Sequence, residues 1–417
     1  MSSNHKHAVW DLVIPSKRAT EIDDPMIWLM SSFWIGLSLL SVVTLAQAEA
    51  NPTVVPGAGN TESITTAASS AATRTFGEDT QPRFNLGVEL MHERKFAGAA
   101  QAFERAVSAR TNFPEAYSNW GISLVELGKQ AFNVTERLHD FQAAAEKFSK
   151  AAEQKPDVKL TYMLWSETLV LIGDLPVDSR TRLACYQGAV EKCRKAAELA
   201  PNEWDSYNKW GVILSTKLPD YAVGEEARLG LYRDAASLYS QAAERARFAS
   251  EIGPAYANWG SVLVQLARIS SNQETRVSLL QQALEKFDRS AKAQPNTAGT
   301  YAMWGGALID VGKISHMRRD LRDAIGKLDT SLDLLPDSPA SLYNLARAYA
   351  LLGEPVLAVQ NLKRCFAADA SHEYRQSAVR DADLNLLRGD ADFDELLGLA
   401  RSGNTPPFNP RLSDAPQ

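Results

Sequence analysis

A tyrosine three residues ahead of a tryptophan recurs along this chain, and that recurrence limits the possible folds more than any other feature. The pairs are Tyr117/Trp120, Tyr162/Trp165, Tyr207/Trp210, Tyr256/Trp259 and Tyr301/Trp304, with the tryptophans 45, 45, 49 and 45 residues apart. Five of the nine tryptophans in the chain belong to the series, so chance spacing does not explain it. Each tryptophan is followed by Gly121, Ser166, Gly211, Gly260 or Gly305. A leucine comes four positions after it, at Leu124, Leu169, Leu214, Leu263 and Leu308. Positions i, i+3 and i+7 share one helix face, so the pattern predicts the buried stripe of a first helix in every repeat.

A second helix follows with its own order: small, large apolar, small, then proline. It reads Ala144/Phe148/Ala151/Pro156, Ala189/Cys193/Ala196/Pro201, Ala283/Phe287/Ser290/Pro295 and Ala324/Leu328/Ser331/Pro336. The unit around Ala235/Tyr239/Ala242 lacks the proline at that offset, and Pro254 follows later. Small residues let two helices approach closely, the large one fills the gap, and proline ends the helix for want of a backbone donor.

This pattern resembles the tetratricopeptide repeat, in the form of a bacterial exported protein with lengthened repeats. The likeness spans about residues 83 to 370. Two units have the family length: one holds Gly87, Ala99, Phe103 and Ala106, the other Ala346, Tyr349, Ala358, Leu362 and Cys365. Tyrosine stands in the family's tryptophan slot and tryptophan in its leucine slot, which keeps the face apolar. The middle units carry about seven to twelve extra residues against the family spacing. Stretches such as EEARLGLYRD and ETRVSLLQQ are helix-friendly, so lengthened helices rather than loops are expected. A HEAT-like array has a similar period, but the Gly and Pro placement favours the tetratricopeptide pattern. The resemblance implies an all-α fold: a right-handed superhelical solenoid of about seven helix hairpins over 81–400, closed by a C-terminal capping segment. Leu384, Leu386, Leu387, Phe393, Leu396 and Leu397 would cover the exposed end, as a solenoid requires.

The N-terminus carries a separate signal. No charged residue occurs from Pro25 to Ala48, Lys17 and Arg18 precede this stretch, and Ala46-Gln47-Ala48 reads as a cleavage site. Residues 26–48 are therefore expected to be a signal peptide or a membrane anchor, with residues 1–25 on the cytoplasmic side and the remainder periplasmic or exported. Residues 49–80 and 401–417 read as disordered linker and tail, being rich in Ala, Thr, Ser and Gly in the first case and in proline in the second.

A net charge of −6 and a pI near 5.7 argue against a nucleic-acid partner. Cys185 and Cys193 lie eight apart on one expected helix, about 12 Å, too far to bridge. No phosphate loop, nucleophile elbow or zinc spacing is present, and the six histidines are scattered. Glu146, Glu191 and Glu285 beside Lys147, Lys192 and Lys286 read as solvated helix faces. The expectation is a non-catalytic scaffold with a protein or peptide partner, no cofactor, no metal, no small-molecule substrate, and a membrane contact only through residues 26–48. An accessory or glycan-handling subunit of an envelope enzyme complex, with the tryptophans as a sugar platform, is the alternative. In the family, the residue just before the Leu-Gly pair, here the residue before each tryptophan of the series and before Leu86 and Leu345, faces the concave groove. Here that position holds Asn85, Asn119, Lys209, Asn258 and Asn344, with Leu164 and Met303 in the other two units. An asparagine amide donates and accepts, so such a row could pair with a partner's backbone. The set of Lys, Asn and Arg positions by which some family members grip a chaperone's terminal carboxylate is not assembled here.

Overall fold

The computed structural model describes residues 80–398. The N-terminal segment, the candidate signal or anchor, the linker up to residue 79 and the tail lie outside the described residues. Every element among the described residues is helical. They form two compact units, residues 80–213 and 214–398.

The first unit holds three hairpins: α1 (Thr80–His92) with α2 (Phe96–Ala109), α3 (Pro114–Gln130) with α4 (Val134–Gln154), and α5 (Lys159–Asp174) with α6 (Ser179–Leu199). The boundary falls inside α7 (Trp204–Thr216). The second unit has a 3-10 turn (Pro219–Tyr221) and α8 (Glu225–Arg245), then three hairpins. These are α9 (Ala249–Ile269) with α10 (Gln273–Ala293), α11 (Ala298–Ser315) with α12 (Arg318–Leu334), and α13 (Pro339–Leu351) with α14 (Pro355–Ala368). A cap of α15 (Glu373–Arg380), a 3-10 segment (Ala382–Leu387) and α16 (Ala391–Leu397) closes it. This is an all-α solenoid of tetratricopeptide type.

Local chemistry fixes the helix ends. Asn133, Asp178 and Asn272 each accept backbone N–H bonds in the first turn of α4, α6 and α10, satisfying donors that the helix cannot. Pro156, Pro201, Pro295 and Pro336 stand two residues beyond the last helical residue of α4, α6, α10 and α12. Proline forbids the helical region to the residue before it, and Lys155, Ala200, Gln294 and Leu335 all adopt φ near −133 to −143°. Where that proline is missing, after α8, only Ala246 to Phe248 separate two helices, and α9 begins ahead of Pro254.

The hairpin core is a close approach of glycine to a large side chain. Phe103, Phe148, Phe287 and Leu328 are fully buried. A Cβ on Gly87, Gly121, Gly260 or Gly305 would come within 2.5–2.8 Å of one of them. Where the first helix carries Ser166 instead, the second carries the smaller Cys193, 3.0 Å away. Where it carries Ala346, the partner position holds Leu362. The second-helix residue is smaller where the first helix carries Ser166 or Ala346 than where it carries Gly87, Gly121 or Gly260 opposite phenylalanine, as a close-packed interior demands.

Most of the extra residues of the middle repeats are helical: α4, α6, α8, α9 and α10 each have 21 residues, against 13 or 14 in α1, α2, α13 and α14, while between α7 and α8 residues 217–224 form a connection with one short 3-10 turn. They build a second contact layer one heptad further along. An added Cβ on Gly128 would meet Phe141 at 2.6 Å, on Gly173 Tyr186 at 2.5 Å, and on Gly312 Leu321 at 2.9 Å.

First helices also touch their successors: α1 with α3, α3 with α5, α9 with α11, and α11 with α13. Second helices do not meet to that extent among the described residues. Within each unit the first helices therefore form the inner layer. In the cap, Leu384, Leu387 and Phe393 are buried against Leu342, Leu362 and Phe366, with Leu396 and Leu397 partly buried. Leu386, expected to join them, is half exposed, because a 3-10 turn aligns Leu384 with Leu387 three residues on and leaves the two between off that face.

Candidate protein-interaction surface

The tryptophans are half-buried, each placed by the first helix that also carries its tyrosine. Tyr117/Trp120, Tyr256/Trp259 and Tyr301/Trp304 lie nearly parallel, at 11–19° and 6.0–6.4 Å between centroids. Over the indole comes a lysine from the second helix of the same hairpin. Lys147 lies 4.3 Å from the Trp120 centroid, Lys192 3.9 Å from Trp165, Lys286 4.4 Å from Trp259 and Lys327 3.7 Å from Trp304. A cation over a partly desolvated indole is attracted by the ring quadrupole. The side chains of Lys147 and Lys286 are only 13% and 12% exposed and lie as lids on the rings, while the carboxylates of Glu146 and Glu285 beside them, at 55% and 51%, are solvated as expected. A sugar stacking on these rings would have to displace them. The signal was in the sequence: a lysine precedes the large residue of the second helix, 27 residues after Trp120, Trp165 and Trp259 and 23 after Trp304.

The five expected groove residues fall into two groups. Asn85 is exposed on α1, its Oδ1 accepting from Gln81 Nε2 at 3.0 Å. Lys209 on α7 is about a quarter exposed and pairs with Glu167 of α5. Burial, and then the like charge of Lys159, lower its pKa to about 7, an effect that the Glu167 carboxylate opposes. Asn119, Asn258 and Asn344 are buried, in the layer where successive first helices meet. The Asn344 carbonyl already accepts from Arg347 Nη1 at 2.9 Å. Asn85 and Lys209 are thus accessible at the surface, whereas the amides of Asn119, Asn258 and Asn344 are covered.

The inner layer of the second unit carries a chain of charges that links the first helices to the cap. Arg268 Nε of α9 donates to Asp310 Oδ2 of α11 at 2.8 Å. Arg347 of α13 lies 3.9 Å from the other Asp310 oxygen and donates through Nη2 and Nε to Asp383 Oδ2 at 2.6 and 3.0 Å. Lys313 Nζ of α11 holds Asp383 Oδ1 at 2.6 Å, and the Tyr343 hydroxyl donates to Asp381 at 2.9 Å. Asp383 has a side chain only 3% exposed. Burial alone would raise its pKa, but Arg347 and Lys313 outweigh burial and hold it below the ordinary carboxylate value. No spacing rule joins residues 36 to 70 apart, so sequence reasoning did not find this chain.

Among the described residues, no helix is long and apolar enough to cross a membrane, and no cluster of His, Cys, Asp or Glu could hold a metal ion. The three cysteines are free.

No family model and no curated relative matches the sequence. Among solved structures the chain is similar to YrrB, a TPR protein with an unusual peptide-binding site, at 18% identity over 57% of this chain and 100% of that one, TM-score 0.36. It is similar to PilW, a type IV pilus biogenesis factor, at 15% identity over 63% and 96%, TM-score 0.40. A third likeness is to the C-terminal part of a TPR repeat-containing protein from Cytophaga hutchinsonii, at 12% identity over 69% and 96%, TM-score 0.42. At such identities a likeness concerns fold alone. The fold class defined by the hairpins themselves is that of a tetratricopeptide-type solenoid.

Proposed function

We propose that this chain is a non-catalytic scaffold that holds a partner polypeptide on the inner layer of its first helices, outside the cytoplasm, in the assembly of an envelope complex. The observation that carries the reading is the inner layer itself: within each unit first helices are brought side by side, with a polar residue at the groove position in five of the seven repeats. Such a surface suits an extended or helical segment of a partner. Asn85 and Lys209 are the positions we expect a partner to reach first, with Asn119, Asn258 and Asn344 beneath. Export rests on residues 17–48 of the sequence, which the described residues do not include.

A photo-crosslinking residue at Asn85 or at Lys209, in the native host, tests the reading, with Gln142 on the outer helix α4 as control. A protein adduct from the inner positions and none from Gln142 is the expected result. Adducts from Gln142 alone would sink it. Export is tested separately, by the mature N-terminus in mass spectrometry: a start at Glu49 means cleavage, an intact residue 26–48 segment in the membrane fraction means an anchor, and a full-length cytosolic protein contradicts both.

A further inference from the structure

One end of the inner layer in the second unit is already occupied, and by a piece of this same chain. The 3-10 segment Ala382–Leu387 lies against α13, a first helix, where a partner segment would lie on other repeats. It arrives with acidic residues first and apolar ones behind. The Asp383 carboxylate is shared between Lys313 of one repeat and Arg347 of the next, and Asp381 takes the Tyr343 hydroxyl and lies 3.4 Å from Arg347 Nε. Leu384 and Leu387 then enter the apolar cluster beside Leu342 and Leu362. Both cations and the hydroxyl come from first helices, and Asn344, one of the expected groove residues, orients Arg347.

We propose that Lys313, Tyr343 and Arg347 form a subsite for an acidic peptide segment of the form Asp-x-Asp-Leu, which this chain fills with its own residues 381–384 until a partner segment of the same chemistry takes their place. The proposal rests on the scaffold reading and specifies the partner's chemistry at one end. The arrangement suits exchange for two reasons. A guanidinium that donates twice to one carboxylate oxygen, with a second cation on the other oxygen, recognises a carboxylate by charge and position. The occupant belongs to short elements, of 8, 6 and 7 residues, at the end of the array of hairpins among the described residues, and short elements packed on one side only open at low free-energy cost.

The test uses the full chain and a fluorescein-labelled synthetic peptide copying residues 379–390. In the Asp381→Asn/Asp383→Asn double variant the cations lose their occupant, and the peptide is expected to bind at least about tenfold more tightly than it binds the wild-type chain. A peptide with both aspartates replaced by asparagine is expected to lose that gain. Equal binding of the two peptides, or no gain by a variant whose circular dichroism is unchanged, overturns the proposal. Should the double variant not fold, hydrogen exchange of the wild-type chain decides: excess acidic peptide accelerates exchange in residues 382–397 if the segment is displaced, and unchanged exchange overturns the idea. Either negative result leaves the crosslinks at Asn85 and Lys209 intact, so failure here is distinct from failure of the scaffold reading.

Discussion

At the scale of single residues, the hairpins are governed by how closely two helices approach. A methyl on Gly121 would come 2.7 Å from the buried Phe148 ring, with no flexible side chain free to yield. Gly121→Ala is therefore expected to destabilise the chain by about 1–3 kcal/mol in urea unfolding, the usual cost of overpacking. Gly326 in α12 gives the contrast, because nothing lies within 4 Å of an added Cβ there. Gly326→Ala is expected to stabilise by about 0.5–1 kcal/mol through helix propensity, and a loss would contradict this account of the packing. The lysine lids can be tested in the same way. Lys327→Met keeps the apolar stem over Trp304 and removes the charge, so a loss of about 0.5–1 kcal/mol with an altered tryptophan emission is expected.

At the scale of helices, the lengthened repeats carry a second packing layer that the family's own spacing does not require. Phe141, 3% exposed, fills this layer as Phe148 fills the first. Phe141→Ala should cost about 3–5 kcal/mol, as much as Phe148→Ala, whereas a residue on a mere insertion would cost far less. The helices themselves were legible in the sequence because their apolar positions repeat: tryptophan, glycine and leucine mark one stripe, and Ala144, Phe148 and Ala151 the other. The cap was legible through Leu384, Leu387 and Phe393, although not which leucine a 3-10 turn would leave outside. The burial of Asn119, Asn258 and Asn344 was not legible. Whether an amide on a first helix is open or covered depends on the next repeat's side chains, and spacing within one repeat carries no information on that. The lids on the tryptophans were missed because a lysine next to a glutamate reads as a solvated pair until its stem is seen lying on a ring.

At the scale of the whole molecule, the cap is where stability and recognition meet. Removal of residues 381–398 would uncover Leu342, Leu362 and Phe366, and a sharp fall in soluble yield and melting temperature is expected. Acid is expected to loosen the same region. Because the folded-state pKa of Asp383 lies below its ordinary value, the stability it contributes is complete above the unfolded-state pKa of about 4 and disappears as pH falls through the lower, folded value. Asp383→Asn should flatten that acid limb in thermal melts between about pH 5 and pH 2 while lowering the plateau at neutral pH. An unchanged acid limb in the variant would show that the coupling to Arg347 and Lys313 does not contribute to folding.

The graded fit of Gly121 to Phe148, of Ser166 to Cys193 and of Ala346 to Leu362 has a consequence for how such a chain can change. The Ser166 helix is keyed to the Cys193 helix and the Gly helices to Phe or Leu helices, so a recombination joint that placed Ser166 against a Phe helix would unite halves cut to different gauges, while one placed between hairpins would keep every key with its lock. Gain and loss of repeats in this chain should therefore proceed by whole hairpins, and a chimera that transplants α5 without α6 should fold worse than one that transplants both.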